Sequence, residues 1–234
     1  MTARITEGIA AGAGGGALAF LATLVAGVPV AVACGAVAGG AGLVAGLRGV
    51  YEWRSVLGWG AWALDSTWGL VGTALGLLLT GANTVRRDSG YRPDLSRRRN
   101  RHVYERGFAL QRGFAFTLGP VISNIATRGT IRPGLLERHE SLHVWQARWF
   151  GPLYQALYAI WAPGGIVVAT VTWLRHREDR WWQLVRTACY YDNPFEYWAY
   201  RRDERWPAGA HPRLAWKPRK GGRQAPPDGG APGA

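Results

Sequence analysis

Cysteine, methionine and lysine are nearly missing from this chain: its 234 residues hold two Cys, one Met and two Lys. Cys34 and Cys189 stand far apart in unlike surroundings, so neither a disulfide framework nor a paired-cysteine metal site can be built from them. Acidic residues are scarce too, 15 against 28 basic ones, leaving a net charge of +13 carried almost wholly by arginine. Such a balance suits nucleic acid or an anionic membrane surface. No nucleic-acid recognition motif accompanies it, and the 13 Trp and nine Tyr are scattered rather than gathered into a stacking platform, which argues against nucleic acid. The Gly-rich GAGGGA near the start lacks a preceding strand or an acidic partner, so it is no dinucleotide fingerprint. No internal repeat is present.

Charge is absent altogether from residues 8–47, a run made almost entirely of Ala, Gly, Val and Leu. As continuous helix, residues 9–47 would be about 58 Å long against a hydrocarbon core of about 30 Å, so one span is too few and two fit. Gly27-Val28-Pro29 lies midway and supplies the break. Gly8, Gly12 and Gly16 in one arm, and Gly35 and Gly39, then Gly42 and Gly46, in the other, recur every four residues, which lets helix backbones approach closely. Residues 1–50 therefore read as a transmembrane helical hairpin. Two other origins compete: a processed signal peptide, which needs a stronger basic start than Arg4 and a run that stops sooner, and a Gly/Ala-rich helical pair packed on a soluble domain.

Residues 51–83 read as an interfacial linker carrying Trp53, Trp59 and Trp62, continuing into an apolar segment. That segment, residues 66–85, suits a third span or a pair of buried strands, with the non-spanning form preferred. Residues 86–106 read as a basic surface loop or arm. Nine Arg against three acids between residues 84 and 112 follow the positive-inside pattern. They point to contact with anionic lipid on the cytoplasmic side of a membrane.

Against this background stands His139-Glu140-Ser141-Leu142-His143. Two His four apart on a helix are separated by about 400° of rotation, so both imidazoles project from one face toward a single ion. Glu140 follows the first His directly, where it can take a proton from a metal-bound water. With only five His in the chain, the pattern arises by chance in about 0.4% of sequences of this composition. The plainer alternative is a solvated helix face. Among later donors Glu196 is the best-placed third ligand: Asn193-Pro194 reads as a turn that launches a helix and holds Glu196 near its start. Its plainer role is to complement that helix's dipole. His139, His143 and Glu196, with water in fourth place, would complete the coordination of a catalytic zinc.

HESLHVWQARWFGPLYQALYAIW (residues 139–161), together with NPFEYWAY (residues 193–200), resembles an uncharacterised bacterial family of membrane-associated, zincin-like proteins. Those proteins share an H-E-x-x-H-x-x-Q helix followed by G-P-L-Y and a later E-x-W-A segment. The layout is similar to that of the gluzincin class of metallopeptidases. The resemblance covers residues 65–216, is strongest between residues 118 and 200, and leaves out the N-terminal region. It implies zinc on His139, His143 and Glu196, with Glu140 as base. The thermolysin-like pattern places an Asp four residues after the glutamate ligand, and here that position is Tyr200, so the residue that would orient a ligating His is not identified.

Residues 108–125 read as one or two strands. Gluzincin-like sites place an edge strand beside the metal, where an extended peptide adds by main-chain pairing; residues 114–123 are the candidate, with ordinary sheet core as the alternative. Arg132-Pro133-Gly134 is a break, after which Leu135 opens a metal-bearing helix that buries Leu135, Leu136, Leu142 and Trp145 or Trp149 and stops at Phe150-Gly151-Pro152. Residues 153–174 are uncharged and long enough to span. A simple crossing would strand Glu196 on the far side of the bilayer from His139 and His143, which zinc bonds of about 2 Å do not allow. Ala162-Pro163-Gly164-Gly165 is therefore expected to fold this run into a kinked hairpin. Gln146, Tyr190 and Tyr191 are candidate contacts for a ligand, substrate or oxyanion, against plainer roles as a helix-surface amide and core or interface tyrosines. His176 reads as a surface residue, and residues 217–234 as a disordered tail.

The fold class expected is α+β: a transmembrane hairpin and, over residues 84–216, a small zincin-like domain with a metal-binding helix and a short sheet. The function expected is that of a membrane-anchored zinc metallohydrolase, a peptidase acting on a peptide or membrane protein near the bilayer. Two readings compete: a non-catalytic zinc-binding structural membrane protein, and a membrane scaffold or lipid-binding protein in which HESLH is incidental.

Overall fold

Helix α1 (Thr2–Thr23) ends in a 3₁₀ turn, Leu24–Ala26, and Gly27, at φ +103°, redirects the chain into α2 (Val28–Leu47). The computed structural model describes residues 2–110, 113–127, 130–175, 177 and 180–203; the expectations for His176 and residues 217–234 lie outside them. The two arms pack backbone on backbone. A Cβ built on Gly46 would fall 2.6 Å from the Glu7 carbonyl oxygen, and one on Gly42 2.5 Å from that of Ala11. The four-residue glycine spacing is thus a contact seam held by dispersion at close range. Gly42→Leu is expected to force the arms apart at a cost of about 1–3 kcal/mol, read as a lowered melting midpoint; an unchanged midpoint would show that the seam is dispensable. The turn end is exposed at Leu21, Val25 and Val28. The open end is gripped: Trp62 Nε1 donates to the Ala11 carbonyl at 3.1 Å, Trp53 Nε1 to Glu7 at 2.7 Å, and Arg98 meets Glu7 with two bonds of 2.6 and 2.7 Å.

Residues 51–85, expected as an interfacial linker and an apolar segment that spans or forms strands, hold two helices and no strand. They form α3 (Val56–Ser66), capped by the Ser55 hydroxyl accepting from Gly58 N at 3.0 Å, and α4 (Leu70–Val85), bent 87° from it. The glycines that weaken helix propensity here are used for close approach. A Cβ on Gly76 would meet Pro120 at 2.9 Å and the Leu118 carbonyl at 3.1 Å, and tertiary packing overrides local preference. With 16 residues, α4 is about 24 Å long and by itself short of a span.

The basic stretch lies largely at the surface, as expected of residues 86–106, but it is ordered and partly built into the core. It contains α5 (Pro93–Ser96) and β1 (His102–Val103), with Arg101 and His102 buried. Residues 114–123 hold two strands, β2 (Phe116–Leu118) and β3 (Val121–Ser123), and the sheet order is β1-β3-β2. Parallel pairing joins β1 to β3 and antiparallel pairing joins β3 to β2, so β2 is an edge strand. A separate two-stranded ladder joins β4 (Ala126–Thr127) to β5 (Thr130–Ile131). Burial, helped by the Arg48 and Arg148 charges, pushes the His102 imidazole from 6.5 down to about 3. An imidazole that protonates on unfolding but not when folded makes stability fall as pH drops from 6.5 toward 3. Melting midpoints should decline across that window and decline less in His102→Asn; equal slopes would contradict this.

The helix that carries both His begins with a wide π turn, Leu135–Glu140, continues as α6 (Ser141–Phe150), and is closed by Gly151 at φ +54°. Leu136 and Val144 join Val103, Ile122 and Ile125 in one apolar cluster, and Leu142 is buried as well, whereas Trp149 is exposed. Arg148, on the same helix, is buried against Asp65 of α3 with two bonds of 2.8 Å. The Tyr51 hydroxyl donates to Asp65 at 3.1 Å, and Arg148 also donates to the Asn100 carbonyl at 2.6 Å.

The chain divides into two compact units, Met1–Gln155 and Ala156–Ala234, the division falling in the first turn of α7 (Pro152–Arg175). α7 runs as one 24-residue helix through Pro163, which corrects the kinked hairpin expected there. Pro163 leaves one carbonyl of the preceding turn without its usual donor; Gly164 faces open space, whereas Gly165 serves packing, since a Cβ there would fall 2.9 Å from Cys189. The chain returns after Arg175 instead. α8 (Trp181–Arg186) and a second π turn, Thr187–Tyr191, run back along α7. Trp181 Nε1 donates to Thr170 Oγ1 at 3.2 Å, Trp161 Nε1 to the Ala188 carbonyl at 2.8 Å, and the Cys189 thiol to the Ala162 carbonyl at 3.3 Å. α9 (Pro194–Asp203) follows. Among the described residues, three helices are long and apolar enough to cross a membrane, α1 with its 3₁₀ turn, α2 and α7; the bent α3–α4 pair would make a fourth if counted as one broken span. Among the described residues the fold is mostly helical, with small sheets and two N-terminal apolar helices.

Candidate metal centre

In the first unit, the π turn carries His139 and Glu140, and α6 carries His143. Such wide turns recur at functional sites. Both His are buried, their Nε2 atoms 3.2 Å apart and their rings 78° from parallel. With metal–nitrogen bonds of about 2.0–2.1 Å, two nitrogens on a tetrahedral ion sit about 3.3 Å apart, so the pair has the spacing of two zinc ligands. His143 Nδ1 lies 2.8 Å from Gln146 Oε1 and 3.3 Å from the Tyr154 hydroxyl. With the amide oxygen accepting, Nδ1 donates, and the lone pair is left on Nε2, the atom that faces His139. Gln146 is thus fully buried rather than at the helix surface. It takes the orienting part that Tyr200 cannot play for a His in the manner of an Asp. Glu140 Oε2 accepts from Thr117 Oγ1 at 2.6 Å, so edge strand β2 holds this carboxylate. Arg101 donates to Ser141 and, at 2.5 Å, to Glu137, pinning the start of α6.

In the second unit, Asn193 Oδ1 accepts from Phe195 N at 2.9 Å and the Asn193 carbonyl from Tyr197 N at 2.8 Å, starting α9 at Pro194 as the Asn-Pro pair predicts. Glu196 lies buried in the first turn, where its Oε1 accepts from the Tyr158 hydroxyl of α7 at 2.8 Å. Tyr190, Tyr191, Tyr197 and Tyr200 cluster together. Burial, then the nearby Glu196 charge, pushes the Tyr190 phenol well above its usual value, and burial raises that of Tyr191. Both keep their protons at neutral pH and can donate hydrogen bonds.

His139, His143 and Glu196 form one buried group: each offers a ligand atom, those atoms lie within 4.8 Å of one another, and the group can hold a metal ion. Two imidazoles and one carboxylate suit zinc and other first-row divalent ions. Sequence reasoning passed over Thr117, Tyr154 and Tyr158. For the two tyrosines a signal exists: they stand four apart in GPLYQALY, hence on one helix face, just after the His pair. No protein-family model matches this chain, and neither does any curated protein or solved structure.

Proposed function

We propose that this protein is a membrane-anchored zinc metallohydrolase of gluzincin type, acting as a peptidase, with residues 84–216 as its zincin-like domain. The observation that carries this reading is the buried His139–His143–Glu196 group with Glu140 next to its first member. The chemistry that a zinc ion supplies in such a setting is Lewis acidity toward a water molecule and a carbonyl oxygen. Glu140 accepts a proton from the water that attacks the scissile carbonyl and hands it to the departing amine. Thr117 keeps that carboxylate from swinging away, and Gln146 keeps His143 turned with Nε2 inward. Tyr190 and Tyr191, both held protonated, are the candidate donors to the developing oxyanion.

Charge along the hairpin supports the membrane part of the reading. Arg4 lies in the first turn of α1, Arg48 ends α2 and Arg98 is bound to Glu7, while the turn between the arms bears no charge. By the positive-inside rule the open end faces the cytoplasm and anionic headgroups, with the His-bearing helix attached to it through Asp65 and Arg148. The substrate is then a peptide or membrane protein near the bilayer. Zinc-loaded protein should cleave members of a quenched-fluorescence peptide library, stop on chelation and resume when zinc is returned. Protein that retains zinc and cleaves nothing would favour a structural role for the ion.

A further inference from the structure

We infer that Tyr158 is a positioning residue for the metal, acting through the carboxylate of Glu196. This inference rests on the reading of Glu196 as a ligand. Asn193 fixes the backbone at the start of α9, yet a glutamate there still turns about three side-chain bonds, and capping does nothing to arrest them. The Tyr158 hydroxyl, donating to Glu196 Oε1 at 2.8 Å, does so. Its delivery is rigid. The Tyr158 ring lies within 6° of parallel to that of Phe195, the residue before Glu196, with centroids 6.4 Å apart. One turn further along α7, Trp161 is tied to Ala188, and Ala162 to Cys189, so the helix that presents the phenol is itself clamped to its return strand of chain.

The neighbouring turn repeats the device. Tyr154, four residues earlier on the same face of α7, places its hydroxyl 3.3 Å from His143 Nδ1. Two phenols one helical turn apart thus each stand against a ligand, one imidazole and one carboxylate. Hydrogen-bond partners that hold a ligand from behind are worth about 10–100-fold in metal affinity. Tyr158 therefore makes an apolar helix, long enough to lie in a membrane, part of what sets the affinity for the ion.

Tyr158→Phe keeps the ring and its stacking and removes only the hydroxyl. Chelator competition on the full-length protein should show zinc bound about 10–100-fold more weakly than in wild type. The visible absorption of the cobalt-substituted variant should also change in position or intensity, because the carboxylate geometry is relaxed. The melting midpoint of the metal-free protein should not move. Equal zinc affinity and an identical cobalt spectrum, beside a wild type that binds zinc, would overturn the inference while sparing the metal site. A metal-free midpoint that falls along with affinity would also overturn it, by assigning the hydroxyl to packing. A wild type that binds no zinc would instead remove the underlying reading, and the inference with it.

Discussion

Glu140→Gln should lower peptide hydrolysis by about 10²–10⁴-fold, the usual worth of a positioned general base, while zinc content stays at the wild-type level. The amide keeps the shape of the side chain and can still meet the Thr117 hydroxyl, which now bonds the carboxylate at 2.6 Å. What it loses is the ability to take a proton. Because Glu140 is not in the ligand group formed by His139, His143 and Glu196, metal retention and turnover should part company in this variant. Thr117→Val should show a smaller loss of the same kind, since the base remains but is less well held. Steady-state rates on a cleaved peptide, beside metal analysis of the same preparations, test both. A Glu140→Gln protein of full activity would end the proposed mechanism.

Asp65→Ala should destabilise the protein by about 3–5 kcal/mol, because it leaves the Arg148 guanidinium buried without its counter-charge. Both side chains of this pair are nearly inaccessible, at 2% and 4% exposure, so water cannot take over the solvation of the survivor. The Asn100 carbonyl remains to accept one bond, and the Tyr51 hydroxyl loses its acceptor. The pair joins α3, which clasps the hairpin, to α6, which carries His143, so the same variant should release metal more readily. Asp65→Leu combined with Arg148→Met should recover most of the lost stability, since a buried ion pair is replaced by apolar groups at little net cost. Melting midpoints in detergent or nanodiscs distinguish the cases. A single variant as stable as wild type would show that the pair is not a structural joint.

The parts of this protein legible in its sequence are those with local signals. The hairpin is announced by an uncharged run and a Gly-Val-Pro break, and its seam by glycines four apart. The helix of residues 135–150 is bounded by Pro133-Gly134 and Gly151-Pro152, and α9 by Asn193-Pro194. What stayed illegible depends on partners distant in the chain. Gly72 and Gly76 look like strand or loop residues until Gly119 and Pro120 are seen against them. Arg101 and Arg148 look like solvated charges, yet Glu137 and Asp65 bury them. The Pro163-Gly164-Gly165 stretch looks like a helix break, whereas α7 continues through it because Cys189 packs on Gly165 and bonds the Ala162 carbonyl. Around the candidate metal centre, ligand spacing is a local property and can be read, but the groups that hold Glu196 and Glu140 come from elsewhere. Tyr158 is 38 residues from the first and Thr117 is 23 from the second.

Metal analysis of wild type beside His143→Ala and Glu196→Ala, purified without added metal or chelator, tests the whole account most directly. It predicts zinc at one per chain in wild type and little in either variant, since three protein ligands are the minimum for such a site. Zinc retained by Glu196→Ala as tightly as by wild type, or absent from wild type itself, would contradict it.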